Sequence, residues 1–141
     1  MKVLIATDGS PFSNSAIEAF VSRFAWFRQA PSIELVHVHP TVPYGRAAAW
    51  AGKETVERYY AEESDAALKP AGDLLAARGV AFHPVKLVGE PGHEIVRHAE
   101  TAGCDLIVMG THGQTAMANL VMGSVATKVI AASKVPVLLL K

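Results

Sequence analysis

Cysteine is nearly missing from this chain: Cys104 stands alone, which excludes an internal disulfide and fits a reducing compartment. In a turn, it reads as a packed or idle residue and not as a nucleophile. Excess charge is missing as well. Thirteen basic and thirteen acidic side chains cancel to a formal net charge of zero. Nothing therefore argues for a nucleic-acid surface, a polybasic membrane patch or a disordered acidic tail, so any anion site must be local. Long apolar runs are missing too: none approaches the ~18 residues of a membrane span. The opening stretch contains Asp8 and Glu18 and lacks the basic-then-apolar layout of a secretion signal. The expectation is a cytoplasmic protein with no membrane or nucleic-acid partner.

What is present is ample apolar content. With 141 residues, 50% of them hydrophobic, the chain has the size of one domain, expected over 1–141, and can bury a core without staples. Strand and helix signals alternate along it. Val3 to Ala6 is a short continuous apolar run ended by Thr7-Asp8-Gly9-Ser10-Pro11, as in a central parallel strand. Ser10 is placed to cap the following helix, with Pro11 at its first position. Ala16, Ile17, Phe20, Val21 and Phe24 then recur at helical spacing, with Trp26 and Phe27 expected to close the packed face.

Ile33 to Val38 is a second strand, ended by Pro40. The segment 41–53 has no clear period, and from Glu54 a helical pattern runs to Leu75, which Pro70 is expected to kink or divide. Val80 to Val88 is a third strand, nearer an edge because Pro84 lacks a donor. Glu90-Pro91-Gly92 opens a helix that Gly103 ends, and Leu106 to Met109 is a fourth strand. A last helix follows Ser124, and Lys134 to Leu140 is a fifth strand. The order βαβαβαβαβ predicts an α/β fold, an open parallel sheet with helices on both faces. Ligands of such sheets bind beyond the carboxyl ends of the strands, where the strand order reverses.

The stretch most suggestive of chemistry is Gly110-Thr111-His112-Gly113, with Gly123-Ser124 further on, between the fourth strand and the last helix. Glycine allows close approach of backbone, and free N–H groups at a helix N-terminus attract anions. The motif is neither a Walker A loop nor the GxGxxG fingerprint. Glycine is also ordinary loop punctuation, so a pure turn is the competing reading. Topology can bring Asp8 to the same place.

The spacing G-x2-G-x9-G-S in Gly110, Gly113, Gly123 and Ser124 resembles that of the universal stress protein family. So do Thr7-Asp8-Gly9-Ser10 and the second-strand ending Leu35-Val36-His37-Val38. The resemblance covers the whole chain, through the closing Val135-Pro136-Val137-Leu138-Leu139-Leu140. It implies a Rossmann-like five-stranded parallel sheet of order 3-2-1-4-5, ATP binding by members with this glycine pattern, and a homodimer. It implies that Asp8 meets the adenine and ribose side, with Ala6, Thr7 and Met109 in the same site, and that backbone groups of Val38 read the adenine edge. Gly110, Gly113, Gly123, Ser124 and Val125 match positions that hold the phosphates. Asp8 as a turn-former and Val38 as plain core remain open. No Lys or Arg occurs from Gln114 to Met122, where many nucleotide-binding relatives are basic, so triphosphate affinity is expected to be modest.

The histidines are weaker signals. His93 and His98 imitate HExxH, but the i+5 spacing turns the second about 140° around a helix from the first, which rejects a zinc site. His37 and His39 share a strand face and read as satisfied polar residues. His112 lies in the glycine loop and either approaches a phosphate or is structural. Nucleotide hydrolysis needs a water-orienting group, metal ligands and cationic stabilisation. Here only Asp8 lies near the site as a carboxylate, so no catalytic residue is assigned. Mg²⁺ would enter with the nucleotide, partly held by Asp8 or Ser124.

Three functions stay open: an ATP-sensing stress or signalling dimer, a slow ATPase or nucleotidyl-transfer enzyme, and an interaction module that only keeps the fold. An FMN carrier fits less well, since the first loop holds one glycine and an acid. The segment 41–53, with Tyr44, Gly45, Arg46, Trp50 and Gly52, is a candidate mobile lid or an extension of the following helix with Trp50 packed.

Overall fold

The computed structural model describes residues 1–42, 50, 52–114 and 121–141. Tyr44, Gly45, Arg46 and most of the candidate lid lie outside the described residues. Five strands form one parallel sheet: β1 (Lys2–Ala6), β2 (Ser32–His39), β3 (Phe82–Val88), β4 (Leu106–Gly110) and β5 (Val137–Leu140). Their order is β3-β2-β1-β4-β5, as the family resemblance implied. β1 sits at the centre because its Val3, Leu4 and Ile5 are fully buried, apolar on both faces.

Among the described residues four α-helices cover the sheet: α1 (Pro11–Val21), α2 (Lys53–Ala77), α3 (Pro91–Thr101) and α4 (Ser124–Ala132). Strand alternation sends Val3, Ile5, Ile33, Leu35 and Val108 to one face, where they meet Ile17 and Phe20 of α1 and Leu68, Ala71 and Leu75 of α2. Leu4, Ala6, Val36, Val38, Ile107 and Met109 point to the other, against Ile95, Val96 and Ala99 of α3 and Ala126 and Val129 of α4. Cys104 is buried in this second core, and burial pushes its thiol up, as suits a packed residue.

Helix starts follow local chemistry. Ser10 Oγ accepts from the Ser13 N–H at 3.2 Å to cap α1, with Pro11 in its first turn. Glu90 caps α3 by accepting from the His93 N–H at 2.8 Å. Gly103 ends α3 with φ +66°, the left-handed region that glycine tolerates.

Some expectations are corrected. Pro70 does not divide its helix, because α2 runs unbroken through it from Lys53 to Ala77, its buried Leu68, Ala71 and Leu75 anchoring both sides of the proline. Trp26 does not close the α1 face: it is 78% exposed at the end of a short 3₁₀ turn, and Arg23 lies over its ring. Phe27 does pack, edge-on to Phe20 at 5.7 Å. Trp50 is 91% exposed, so it is not packed on the domain. β3 begins at Phe82 and β5 at Val137, later than expected, since turns after Gly79 and around Ser133 use the preceding residues; Val135 N–H donates to Ser133 Oγ at 3.0 Å.

Candidate functional site

The carboxyl ends of β2, β1 and β4 open into a cleft of about 290 Å³. It lies where strand order reverses on either side of β1, the expected position for a ligand. All eleven residues singled out from the sequence line it: Ala6, Thr7, Asp8, Val38, Met109, Gly110, His112, Gly113, Gly123, Ser124 and Val125. Ala6, Val38 and Met109, each 7% exposed, lie at or one residue before the ends of three adjacent strands and make an apolar floor.

Asp8 stands at the mouth of β1. Its Oδ1 accepts from Ser10 N–H at 3.0 Å and Ser13 Oγ–H at 2.6 Å, and its Oδ2 accepts from Gln114 N–H at 2.7 Å. The side-chain amide of Gln114 donates back to the Asp8 carbonyl at 2.7 Å. Two loops that are far apart in sequence are thereby clasped across the cleft. Burial works against ionisation of Asp8, yet the hydrogen bonds from Ser10, Ser13 and Gln114 outweigh it and hold the carboxyl below its ordinary value. Asp8 is thus a turn-former and a cleft residue at once. Gly9 follows at φ +78°, and a Cβ there would stand 2.9 Å from the backbone of Ala67 in α2.

The β4 loop supplies the opposite wall. Gly123 N–H donates to the Thr111 carbonyl at 2.8 Å, which ties the start of α4 to the end of β4. His112 Nδ1 lies 2.9 Å from Thr111 Oγ1, and its ring is 6.5 Å from that of Phe12. The three glycines differ in what they permit. A Cβ on Gly113 would come within 2.4 Å of Asp8 Oδ2, one on Gly110 within 3.1 Å of the His112 carbonyl, whereas one on Gly123 would meet nothing closer than 3.4 Å. Gly123 has φ −71°, so its backbone does not require glycine.

α4 begins without a side-chain cap, unlike α1 and α3. Its first amides have no intrahelical acceptor, and its residues Ser124, Val125 and Ala126 line the cleft. The helix dipole adds partial positive charge at the same end. An anion fits here; for phosphates the amides of Gly113, Ser124 and Val125 and the exposed Ser124 hydroxyl are the available donors. Among the described lining residues there is no Lys or Arg, and Asp8 is the one carboxylate.

Residues not singled out as site members also line the cleft, among them Ser13, Pro91, Ile95, Gln114 and His37. Ser13 has a local signal, one turn after the Ser10 cap. Pro91 and Ile95 have none, since only the crossing of α3 over the sheet brings them in. His98 does not face a metal partner with His93: its Nε2 lies 2.6 Å from Glu34 Oε2, while His93 Nδ1 lies 3.4 Å from Glu94.

A sequence profile of the universal stress protein family matches residues 1–141. Universal stress protein MJ0531 of Methanocaldococcus jannaschii is 36% identical over 141 residues, which cover 99% of this chain and 81% of that protein. The structure of the protein MJ0577 of the same organism superposes with a TM-score of 0.77 at 29% identity, covering 99% of this chain and 94% of that one. A universal stress protein from Archaeoglobus fulgidus in complex with dAMP has the same fold, with a TM-score of 0.70 at 22% identity over 100% and 98% of the two chains. With glycine spacing, strand order and whole-length match in agreement, the chain belongs to the universal stress protein family.

Proposed function

We propose that the cleft binds an adenine nucleotide, with ATP as the resident form, and that the chain works as one nucleotide-sensing domain over 1–141 in a cytoplasmic stress-response or signalling homodimer. The observation that carries this reading is the uncapped N-terminus of α4 facing the cleft beside an apolar floor. A base needs an apolar surface with a few polar groups, and a polyphosphate needs oriented amides. The dAMP complex of the Archaeoglobus relative supports the ligand class.

In this reading the base lies on Ala6, Val38 and Met109, where backbone groups of Val38 meet its edge. Asp8 accepts from ribose hydroxyls or the exocyclic amine, since an ionised carboxylate is acceptor-only. Gly113, Ser124 and Val125 hold the phosphates through amides, the Ser124 hydroxyl adds a donor, and Gly110 and Gly123, the latter's N–H already given to Thr111, leave the phosphates room to approach. His112 closes the phosphate side with Thr111. Each favourable helix-terminus contact contributes about 0.3–1 kcal/mol, up to ~2 in a partly buried site, so several together are needed to offset the missing cations. Mg²⁺ arriving with the triphosphate would supply charge neutralisation, and Asp8 or Ser124 would partly hold it. Asp8 already accepts three donors, and among the described residues no lining cation stabilises a transferring phosphoryl group, so this reading has hydrolysis slow at most.

The homodimer reading rests on β5. It is a sheet edge with Val137 and Leu139 on one face and Leu138 and Leu140 on the other, all half-buried. A shallow hollow lined by Ile130, Val135 and Pro136 adjoins it. An apolar edge of this kind invites pairing with its own copy about a two-fold axis.

Denaturing the purified protein and identifying released small molecules by mass spectrometry tests the ligand without presuming it. An adenine nucleotide at near-stoichiometric yield is expected. Empty protein that also gives no heat with ATP or AMP in calorimetry would leave the interaction-module reading in its place.

A further inference from the structure

His37 is 8% exposed, at the β2 end of the cleft, and lines it on the side towards α2. Its Nδ1 lies 3.1 Å from the hydroxyl of Ser64, a residue of α2 that is 1% exposed. The direction of that bond can be decided by counting protons. Among the described residues His37 is the single hydrogen-bond partner of the Ser64 hydroxyl. If Ser64 accepted from an Nδ1–H, its own buried proton would have no acceptor, which costs about 1–3 kcal/mol. If Ser64 donates, every proton of the pair is satisfied, Nδ1 is the acceptor and the ring proton sits on Nε2.

That Nε2 has no protein partner among the described residues. It is also not sealed in, because Asn14 Oδ1 is the one buried side-chain polar atom there left without a hydrogen bond. His37 lines the cleft, and we take the cleft as the open space that its Nε2 reaches. Burial foremost, and the neighbouring His39, hold the imidazole below its usual range despite the opposing influence of Asp8 and Glu63, so it is neutral at physiological pH. His37 lies on the α2 face of β2 and the apolar floor on the other, so a base at the strand ends, in line with the sheet, is what both can meet, while the uncapped amides for phosphate lie on the β4 and α4 side.

We infer that His37 is a specificity-determining residue, whose Nε2–H donates to an unprotonated ring nitrogen of the bound purine. The inference rests on the nucleotide reading of the cleft and extends it: Ser64, one shell behind, fixes the tautomer and acts as a positioning residue. A base would then be selected by a side chain as well as by the Val38 backbone, which no spacing rule in the sequence singles out.

The test is calorimetric titration of the full chain with ATP and with its 1-deaza, 3-deaza and 7-deaza analogues, in which one ring nitrogen becomes C–H. One analogue is expected to bind about five- to tenfold more weakly than ATP, the range for one lost neutral hydrogen bond. That loss should vanish in His37→Phe, and nitrogen NMR of labelled histidine should report the Nε2–H tautomer in wild type and its mixing with the other in Ser64→Ala. ATP binding with all three analogues within twofold overturns the inference while leaving the cleft's function intact, and so does an Nδ1–H tautomer. Failure of wild type to bind ATP or AMP overturns the nucleotide reading itself. The wild-type spectrum needs no variant, so a His37→Phe chain that failed to fold would leave the tautomer test standing, and His37→Gln would then serve for the analogue comparison.

Discussion

Gly113 has no room for a side chain, and what stands in the way is Asp8. A methyl group at 2.4 Å from Oδ2 must break the bond from Gln114 N–H, whatever happens to a ligand. Gly113→Ala and Gly113→Val are therefore expected to weaken ATP binding at least tenfold in calorimetry while the fold survives. Gly123→Val has a different cause of damage, steric loss of phosphate space, and at 3.4 Å from its nearest neighbour should leave the unliganded melting temperature within about 2 °C of wild type. Equal ATP affinity in Gly113→Val and wild type would remove the glycine loop from the site. For Asp8 the sign of the pH effect follows from its lowered value. A carboxyl held below its ordinary value stabilises the fold above that value, and the contribution is lost as pH falls through the folded-state value. The melting-temperature gap between wild type and Asp8→Asn is expected to be constant from about pH 8 to 5 and to close below about pH 4. A gap that widened on acidification would contradict the assignment. At this scale the sequence was legible where chemistry is local, as in Ser10, Pro11, Asp8 and the glycines. It was not legible for Gln114 or Pro91, whose roles depend on loops and helices meeting across the sheet.

Elements were easier to read than their ends. Continuous apolar runs punctuated by Gly and Pro identify five strands, because a buried parallel strand needs apolar residues on both faces and a turn at each end. Boundaries at β3 and β5 slipped since Val80 and Val135 are apolar too, and only hydrogen bonding to the neighbouring strand excludes them. Pro70 misled for a related reason. Its missing N–H removes one bond of α2, but Leu68 and Ala71 beside it and Leu75 a turn later are buried against β2 and β3, and packing outweighs the local penalty. Proline in a helix interior costs ~3 kcal/mol relative to alanine, part of which is offset by its stiffening of the unfolded chain. Pro70→Ala is accordingly expected to stabilise the chain by about 1–2 kcal/mol in urea unfolding, with no change in nucleotide affinity. A destabilised variant would mean that the proline shapes α2 for its contacts, including the close approach of Ala67 to Gly9.

At the scale of the whole molecule the expected product is a dimer through residues 135–140. Val137→Lys or Leu139→Lys is expected to shift sedimentation at micromolar concentration from dimer towards monomer, since a buried unpaired charge at such an edge costs several kcal/mol. A wild-type chain that sedimented as a monomer with and without ATP would refute the assembly. Strand order itself was accessible only through the family resemblance, because local periodicity says which segments are strands and nothing about which lie side by side.

The two margins of the sheet are not alike. β3 ends it with exposed His83, Pro84 and Lys86, the proline without an N–H to offer and the lysine tied to Asp65 at 2.5 Å. β5 ends it with four apolar residues and no charge before Lys141. In the language of bonding the proposed assembly gives the molecule a valence of one: β5 is the margin expected to react, and β3 the one expected to be blunted. Units of valence one can couple and then have nothing left to couple with, so strand addition that starts at β5 terminates after a single event, and a crowded cell full of this protein would accumulate pairs and not filaments.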